Sequence, residues 1–546
     1  MTPRPWEKSY PPGVRWDVEL ETAPLTRDLD RAAERWPAVP FLDVQGRPID
    51  FRTFAALVER AARGFRALGV GEGVHVALFL PNTPHFPVAF YAVLRAGGVV
   101  VPLSPLDAAR EVAQKLDKAD VSVVVAFAGL ADRLPKDRPG LRTVLAGPED
   151  FAPRPPPPIP ADPALPVSFA ALLDPERERN EPWREAAVDD LALLQFTGGT
   201  SGVPKAAVLT HANLSAAVSS YDHWSRAFDL QAGNERILAV LPLFHIFALT
   251  TLMLRGVRNG YTLLLKPRWD TDEVVEAFIR ERPTLFSGVP TMYRALVAHP
   301  RAREIDFSAL KYCGSGGAPL PTELFEAFGR LSGKPPYEGW GMTETAPAGT
   351  GTPVDARRPG SCGVPLPGVL VEVRDLGDVS RPLPAGEVGE ICVRGRNVTR
   401  GYYRDPEETA AAFADGFFRT GDLGYLDADG YMFIVDRRKD MILSGGFNVY
   451  PRVIEEAMYE HPSVEEVIVV GVPDAYRGEA AKAFVKLRAG AAPFTLEELR
   501  AFLADRLGRH ELPAQLEFRD ALPKTAVGKL WKKPLADEER ARAGGG

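Results

Sequence analysis

The sequence predicts an α/β protein built from more than one domain. Its 546 residues exceed what a single hydrophobic core usually holds. Early in the chain, short apolar segments such as 75–80 and 99–103 alternate with helix-like segments such as 53–69 and 87–97. This alternation is typical of parallel sheets whose two faces are covered by helices. The end of the chain has a different pattern, which indicates a separate small α+β unit.

Each of these segments carries a local signal for its structure. Residues 53–69 place apolar side chains at helical spacing and end in a glycine, and residues 87–97 repeat this pattern. The sequences HVALFL (75–80) and VVVPL (99–103) predict strands, the second of them fully buried. Residues 152–166 are so rich in proline that they predict an extended surface crossing.

The C-terminal unit has helix and strand signals of its own. A helix is predicted for PRVIEEAMYEH, with Pro451 near its first turn, and strands are predicted for EVIVVGV and AFVKL. A second helix should begin at Thr495, which forms a capping box with the glutamate three residues later. We therefore expect a large domain over residues 1–435, a hinge over residues 436–440 and a lid domain over residues 441–546.

Composition and charge exclude several classes of protein. The net charge of −7, with basic residues spread along the chain, argues against a nucleic-acid partner. Cys313, Cys362 and Cys392 lie far apart and have no metal-ligand spacing, so a reducing, cytoplasmic location fits best. The N-terminus lacks the apolar core of a signal peptide. Residues 237–254 carry no formal charge; we interpret them as a buried strand, a loop and a helix, with a membrane span as the alternative.

The stretch FTGGTSGVPK (196–205) is the first candidate site. It lies between two strand-like segments and is expected to join them. The backbone N–H groups of residues 198–202 would form an anion-binding nest, with added hydroxyls from Thr197, Thr200 and Ser201. Its spacing does not fit a Walker A motif, and no helix starts directly after it. The two interpretations are a phosphate loop and a Gly/Ser surface turn.

Two further stretches contain residue types that a nucleotide site needs. In YEGWGMTETAP, Trp340 offers a flat face for a base, Thr343 a hydroxyl for phosphate and Glu344 a carboxylate for Mg²⁺. The alternative is a buried tryptophan beside a polar turn. The glycines of CGSGGAPLP (313–321) would let a planar base approach the backbone, or would form only a tight strand–helix turn.

Four single residues are candidates on weaker grounds. Asp422, in a Thr-Gly-Asp turn, could accept both ribose hydroxyls. Arg437 could bind ribose or phosphate, or form a surface salt bridge. Lys529 is either a solvated lysine or a mobile cation delivered to an active site. His245 lies in the apolar LPLFHIFAL, where a satisfied core histidine is the ordinary interpretation.

Taken together, these stretches resemble the adenylate-forming enzymes, the superfamily of acyl-CoA synthetases, firefly-type luciferases and peptide-synthetase adenylation domains. The motifs occur in the family's order over nearly the whole chain. FTGGTSGVPK resembles the phosphate loop, YEGWGMTET the nucleotide and magnesium motif, FRTGDLG the ribose motif, DRRKD the hinge and PKTAVGK the C-terminal lysine motif. The resemblance implies a large domain of layered α/β sheets with a small β-barrel-like part, and a small mobile α+β lid.

The resemblance also implies a two-step reaction. A carboxylate is first joined to the α-phosphate of ATP with release of pyrophosphate, and the acyl group then passes to a thiol, usually CoA. Lys529 would bridge the carboxylate and the α-phosphate, and the lid would then rotate about Lys439. The residues implied to bind ATP are Thr197, Gly198, Gly199, Thr200, Ser201, Gly202, Lys205, Gly316, Gly317, Ala318, Trp340, Asp422 and Arg437.

The remaining assignments follow from the same resemblance. The implied catalytic residues are Lys529, Glu344, Thr343 and His245. Mg²⁺ would be held by Thr197 and Glu344, and the CoA thiol would meet Gly445, Gly446 and Phe447. Trp340 departs from the tyrosine that is usual in the family; it should still stack on adenine, but it lacks the hydroxyl.

The substrate is narrowed by two features. His245 stands where amino-acid-activating domains have an aspartate, so amino acids are disfavoured. The TGGTSG loop and the opening PWEKSYPPGV resemble bacterial long-chain fatty acyl-CoA synthetases. We therefore expect an ATP-dependent fatty acid–CoA ligase; the alternatives are an aryl or short- to medium-chain acid–CoA ligase, a nucleotide-binding protein that has lost catalysis, and a P-loop phosphotransferase. The sequence is compatible with contact of the protein with a membrane surface, and the resemblance suggests a homodimer.

Overall fold

The computed structural model describes residues 4–136, 138–152, 155–177, 182–197, 204–444, 447–474, 477–525 and 528–544. Its strands are β1 Pro40–Val44, β2 Arg47–Asp50, β3 His75–Phe79, β4 Val99–Pro102, β5 Val121–Phe127, β6 Arg142–Ala146, β7 Val167–Ser168, β8 Leu191–Thr197, β9 Lys205–Thr210, β10 Arg236–Ala239, β11 Thr262–Leu265, β12 Leu285–Gly288, β13 Tyr312–Ser315, β14 Tyr337–Trp340, β15 Thr350–Gly351, β16 Val364–Pro365, β17 Leu370–Arg374, β18 Gly389–Arg394, β19 Phe413–Ala414, β20 Phe417–Leu426, β21 Met432–Arg437, β22 Ile442–Ser444, β23 Phe447–Val449, β24 Val464–Asp474, β25 Gly478–Leu487 and β26 Gln515–Phe518.

The α-helices surround these strands, and a π-helical segment, Leu249–Leu254, joins α7 to α8. They are α1 Leu25–Arg35, α2 Phe51–Ala67, α3 His85–Arg95, α4 Ala109–Lys118, α5 Phe169–Leu172, α6 His211–Trp224, α7 Ile246–Ala248, α8 Arg255–Asn259, α9 Thr271–Glu281, α10 Pro290–Ala298, α11 Thr322–Ser332, α12 Pro406–Ala411, α13 Pro451–Tyr459, α14 Leu496–Leu503 and α15 Lys532–Gly544.

Two large sheets form most of the N-terminal region. The first has the order β7-β6-β5-β3-β4-β8-β9 and is parallel except for the β8–β9 hairpin. The second has the order β16-β15-β14-β13-β12-β10-β11-β1-β2 and is parallel from β14 to β1. One continuous hydrophobic core contains side chains of both sheets and of α1, α2 and α3. The predicted α/β class is confirmed.

The smaller sheets are antiparallel or mixed. Strands β17 to β21 form a small antiparallel sheet, where the resemblance implied a small β-barrel-like part. In the C-terminal unit, β22 to β26 form a mixed sheet with α13 and α14 packed through one core and α15 through another. The capping box at Thr495 is present, and Pro451 is the first residue of α13, as predicted.

The segment considered as a membrane span has a different structure. Residues 236–239 form β10 inside the second sheet, and the rest of the segment is a turn followed by α7 and the buried π-helical segment. Across the residues that the structure describes, no helix has both the length and the apolar character needed to cross a membrane. The strand, loop and helix interpretation is therefore confirmed.

The topology places the glycine-rich stretches at one edge of the second sheet. Strands β12, β13 and β14 run parallel, so their carboxyl ends lie side by side. In open α/β sheets this edge is the usual ligand-binding crevice. The residues after β13 and β14 are those that the sequence predicts for a nucleotide.

Candidate active site

One cleft of about 2360 Å³ brings most of the predicted site residues together. It is bounded by the carboxyl edge of the second sheet, the β8–β9 hairpin, the antiparallel sheet and the C-terminal unit. The predicted residues that line it are Thr197, Lys205, His245, Gly316, Gly317, Ala318, Trp340, Thr343, Glu344, Asp422, Arg437, Lys439 and Lys529.

The other predicted residues are not among those that line the cleft in the described part of the chain. Gly198, Gly199, Thr200, Ser201, Gly202, Gly445 and Gly446 lie outside the described residues. Phe447 is 57% exposed, and its ring packs on His510 at a centroid distance of 4.8 Å. The β8–β9 pairing, with Thr197 opposite Lys205, confirms that the predicted phosphate loop joins two strands.

Lys529 reaches from the C-terminal unit into the cleft. A Cβ atom built on Gly317 would lie 2.4 Å from its Cε and 2.7 Å from its Nζ, so the lysine lies directly on this glycine. Burial, and then the nearby Arg437 guanidinium, lowers the pKa of Lys529 to about 8. The solvated-lysine interpretation is therefore wrong, because the ammonium is held against the glycine-rich turn after β13.

Two contacts hold the C-terminal unit over the cleft in this arrangement. The hydroxyl of Thr291, on α10, donates to the carbonyl of Gly528 at 3.2 Å. On the same side, Arg488 forms an ion pair with Glu323 of α11 at 2.8 Å. Such exposed ion pairs contribute little individually.

His245 lies beside Lys529 at the start of α7. Its Nδ1 accepts a hydrogen bond from the backbone N–H of Phe247 at 3.3 Å, so the side chain caps this helix. Burial, and then the charge of Lys529, lowers the pKa of His245 to about 3. The imidazole is thus neutral at physiological pH and serves as a polar but uncharged wall.

Trp340, Asp422 and Arg437 form a connected group across two sheets. The indole Nε1–H of Trp340 donates to Oδ2 of Asp422 at 2.8 Å. Arg437 Nε lies 3.1 Å from Oδ1 of the same carboxylate, and the charge of Asp422 raises the pKa of Arg437. Asp422 and Arg437 face each other in the β20–β21 pairing, so the antiparallel register brings them together.

Glu344 is a buried carboxylate at the opposite wall of the cleft. Its Oε1 accepts a hydrogen bond from the Tyr402 hydroxyl at 2.9 Å, and its backbone carbonyl accepts one from Thr399 N–H at 2.7 Å. Burial raises the pKa of Glu344, while the Tyr402 hydroxyl acts in the opposite direction. The ring of Tyr402 also lies 5.5 Å from Lys205 Nζ, and Lys205 pairs with Glu408.

Sequence reasoning missed Tyr402 and Glu408. Both come from the segment between β18 and β19, far from Glu344 and Lys205 in the chain. An isolated bridge to Ala207 of β9, together with neighbouring loop hydrogen bonds, brings Tyr402 to the site. No local motif marks this pairing, so a single sequence offers no signal for it.

The cleft continues along one face of the second sheet. Alternate residues of β12 and β13, namely Leu285, Ser287, Tyr312 and Gly314, line this branch because side chains on a strand alternate between faces. The ring of Tyr312 covers Gly314 and stacks on Tyr337, with centroids 5.6 Å apart. Phe228 meets both rings edge-on at 5.0 and 4.9 Å. This aromatic floor bounds the branch.

The arrangement fits a known family. The family described as AMP-binding enzyme matches residues 29–403, and the one described as AMP-binding enzyme C-terminal domain matches residues 453–529. The chain belongs to the AMP-binding enzyme family. The resemblance to adenylate-forming enzymes that the motifs indicated is thereby confirmed.

Relatives of this family member include a long-chain-fatty-acid–CoA ligase of Bacillus subtilis, 36% identical, with 98% of each chain covered. A feruloyl-CoA synthase of an Amycolatopsis species is 37% identical over 89% of this chain and 93% of its own. Among solved structures, ATP-bound MatB from Rhodopseudomonas palustris has a TM-score of 0.83 and 29% identity. The match covers 95% of this chain and 99% of that one.

Proposed function

We propose that this AMP-binding enzyme is an ATP-dependent, AMP-forming fatty acid–CoA ligase. The observation that carries the proposal is the position of Lys529. Its ammonium lies on the glycine-rich turn after β13, in one cleft with Glu344 and with the Trp340–Asp422 pair. The family match and the Bacillus subtilis relative, named for long-chain fatty acids, support the choice of reaction and of acid.

In the first step, an anionic carboxylate attacks an anionic phosphate, so the site must neutralise charge and align the partners. Lys529 would place its ammonium between the carboxylate and the α-phosphate. The neutral His245 beside it would not compete for the carboxylate as a second cation. Thr343, which begins the short helical turn after β14, would donate to the α-phosphate, and Lys205 would leave Glu408 to bind the phosphates.

The nucleoside would lie between the turn after β13 and Trp340. Gly316, Gly317 and Ala318 present backbone without bulky side chains, so a planar base can approach closely. Asp422 would accept the ribose hydroxyls beside Arg437. Glu344 suits Mg²⁺, because this ion takes one or two protein carboxylates and completes its shell with phosphates and waters. Mg²⁺ would neutralise phosphate charge, and Glu344 and Thr197 would hold it.

In the second step, the C-terminal domain would turn about Lys439 in the 436–440 hinge and withdraw Lys529. Burial lowers the pKa of Lys439, and Asp440 opposes this, so the hinge is already partly enclosed. The rotation would carry the exposed Phe447, with Gly445 and Gly446, to the CoA thiol. The exposure of Phe447, which is 57% despite its contact with His510, supports this, because the exposed part of the ring is available for contact with CoA after the rotation.

The acyl group would occupy the branch along β12 and β13. A second candidate substrate class, aryl acids, is favoured by one observation. The Tyr312–Tyr337 stack and Phe228 offer flat aromatic surfaces that suit a ring, and the Amycolatopsis relative is named for feruloyl-CoA. Both classes would use the same two-step chemistry.

A cytoplasmic location is supported by three buried free cysteines. Peripheral membrane contact remains a prediction, prompted by a substrate that partitions into lipid. The homodimer also remains a prediction from the resemblance. The substrates themselves, a carboxylic acid, ATP and CoA, are small molecules, and the acidic net charge of −7 does not favour nucleic acid.

The function is tested with purified protein, ATP, Mg²⁺ and CoA against saturated fatty acids of increasing length, benzoate and coumarate. AMP and thioester are quantified with and without CoA. CoA-dependent thioester that peaks on fatty acids supports the proposal, and a peak on aryl acids supports the second candidate. Lys529→Ala should lose pyrophosphate exchange by more than a hundredfold while it still binds ATP in calorimetry. Unchanged exchange in this variant would refute the assignment.

A further inference from the structure

The tryptophan in the nucleotide motif makes a contact that its place in the sequence does not suggest. Trp340, in β14 of the second sheet, places its Nε1 2.8 Å from Oδ2 of Asp422, which lies in β20 of the antiparallel sheet. Asp422 is 3% exposed, so its carboxylate is removed from bulk water. A buried carboxylate needs donors, and hydrogen bonds to charged groups are stronger than neutral ones.

The indole is fixed from its other side as well. A Cβ atom built on Gly349 would lie 2.5 Å from Cε3 and 2.7 Å from Cζ3 of Trp340, so the absence of a side chain at Gly349 lets the indole pack closely against it. The backbone N–H of Trp340 also points to the hydroxyl of Thr350 at 3.3 Å. The Trp340 side chain is partly buried and lines the cleft, so part of the ring is accessible to a ligand there.

The carboxylate of Asp422 is held at both oxygens. Arg437 Nε approaches Oδ1 at 3.1 Å, and the indole N–H approaches Oδ2. The backbone N–H of Asp422 donates to Thr420 Oγ1 at 3.0 Å, which fixes the main chain at this residue. Each carboxylate oxygen can accept two hydrogen bonds, so both oxygens retain capacity to accept one from a ribose hydroxyl.

We propose that Trp340 is a positioning residue for ribose recognition: its N–H orients the Asp422 carboxylate toward the two ribose hydroxyls while its face packs on the base. This inference rests on the proposed function, because it assumes that the nucleoside occupies this wall. The tryptophan therefore supplies, through its indole nitrogen, a donor in place of the hydroxyl that a tyrosine would carry. Base stacking and ribose binding are coupled through one side chain.

The test compares nucleotides that differ only at the ribose. Trp340→Phe keeps an aromatic face and removes the N–H. We expect kcat/KM for ATP in pyrophosphate exchange to fall about tenfold or more, the usual effect of losing a hydrogen bond to a charged group. The preference for ATP over 2′-deoxy-ATP and 3′-deoxy-ATP should shrink by a similar factor. In an Asp422→Asn background, Trp340→Phe should add little, as a double-mutant cycle would show.

A matched control is available in the same chain. The indole N–H of Trp183 donates to the Glu59 carboxylate at 2.8 Å, outside the cleft. Trp183→Phe removes the same kind of hydrogen bond and should change neither kcat/KM nor the ribose preference. Thermal unfolding of every variant, and AMP binding by calorimetry, separate folding defects from the effect on nucleotide recognition.

The outcomes distinguish this inference from the proposed function. Equal losses for ATP and both deoxy analogues in Trp340→Phe would overturn the positioning role and leave only packing on the base. Full additivity of the two substitutions would do the same. If wild-type protein binds ATP yet exchanges no pyrophosphate with any acid, the proposed function fails, and the ribose preference is then read from calorimetry alone.

Discussion

Replacing Tyr402 by phenylalanine tests the buried carboxylate of Glu344 directly. The Tyr402 hydroxyl donates to Glu344 Oε1 at 2.9 Å. Among the described residues, this hydroxyl is the side-chain donor to the Glu344 carboxylate. Burial raises the pKa of Glu344 and the Tyr402 hydroxyl counteracts that rise. Without the hydroxyl, the ionised form loses a charge-assisted hydrogen bond of about 1.5–3 kcal/mol. The pKa of Glu344 should therefore rise further.

The direction of the effect on activity follows from the protonation state. In the proposed mechanism only the ionised carboxylate of Glu344 would hold Mg²⁺, so activity should be lost as the pH falls through the pKa of Glu344. A higher pKa moves this loss toward neutral pH in Tyr402→Phe. At a fixed pH on the acid limb, 1.5–3 kcal/mol corresponds to about a ten- to hundredfold smaller ionised fraction. The Mg²⁺ concentration needed for half-maximal rate should rise over the same pH range.

The assay is pyrophosphate exchange, measured as kcat/KM for ATP across pH and at several Mg²⁺ concentrations. Tyr403→Phe is the control, because the neighbouring hydroxyl donates to Asp120 at 3.0 Å outside the cleft. Tyr402→Phe should shift the acid limb, and Tyr403→Phe should not. If Tyr402→Phe changes neither the pH at which kcat/KM decreases on the acid side nor the Mg²⁺ requirement, the pKa of Glu344 does not depend on this hydrogen bond.

Two further predictions concern Lys529. Because burial lowers its pKa to about 8, its ammonium is lost as the pH rises through that value, so kcat/KM for ATP should fall above about pH 8. Lys529→Arg should move this decrease in kcat/KM to higher pH. If the decrease stays at the same pH in the variant, Lys529 is not the group whose titration causes it. Gly317→Ala should impair adenylation strongly, because the added Cβ would lie 2.4 Å from Lys529 Cε and Gly317 has a φ of +81°. Transfer from supplied acyl-AMP to CoA should fall less, because only adenylation needs the ammonium of Lys529, although the base contacts the same turn in both steps; an undiminished adenylation rate would contradict the position of Lys529 on Gly317.

The periodic and local features were available from the sequence. Helices α2 and α3 and strands β3 and β4 were predicted because their apolar spacing is set by the geometry of each element. The capping box at Thr495 and the strand–loop–strand arrangement around Thr197 follow from neighbouring residues alone. The cleft residues Gly317, Trp340, Asp422 and Lys529 were found because each lies within a short motif that resembles the family pattern.

Which residues of the different motifs contact one another was decided only by the tertiary structure. The indole N–H of Trp340 donates to Asp422 because the carboxyl edge of the second sheet faces the β20–β21 hairpin. Tyr402 meets Glu344 through an isolated bridge to β9 that has no local signature. The conformation that places Lys529 on Gly317 depends on how the C-terminal unit packs. A chain specifies its local geometry through neighbours a few residues apart, whereas pairings between distant segments depend on the free energy of packing the whole fold.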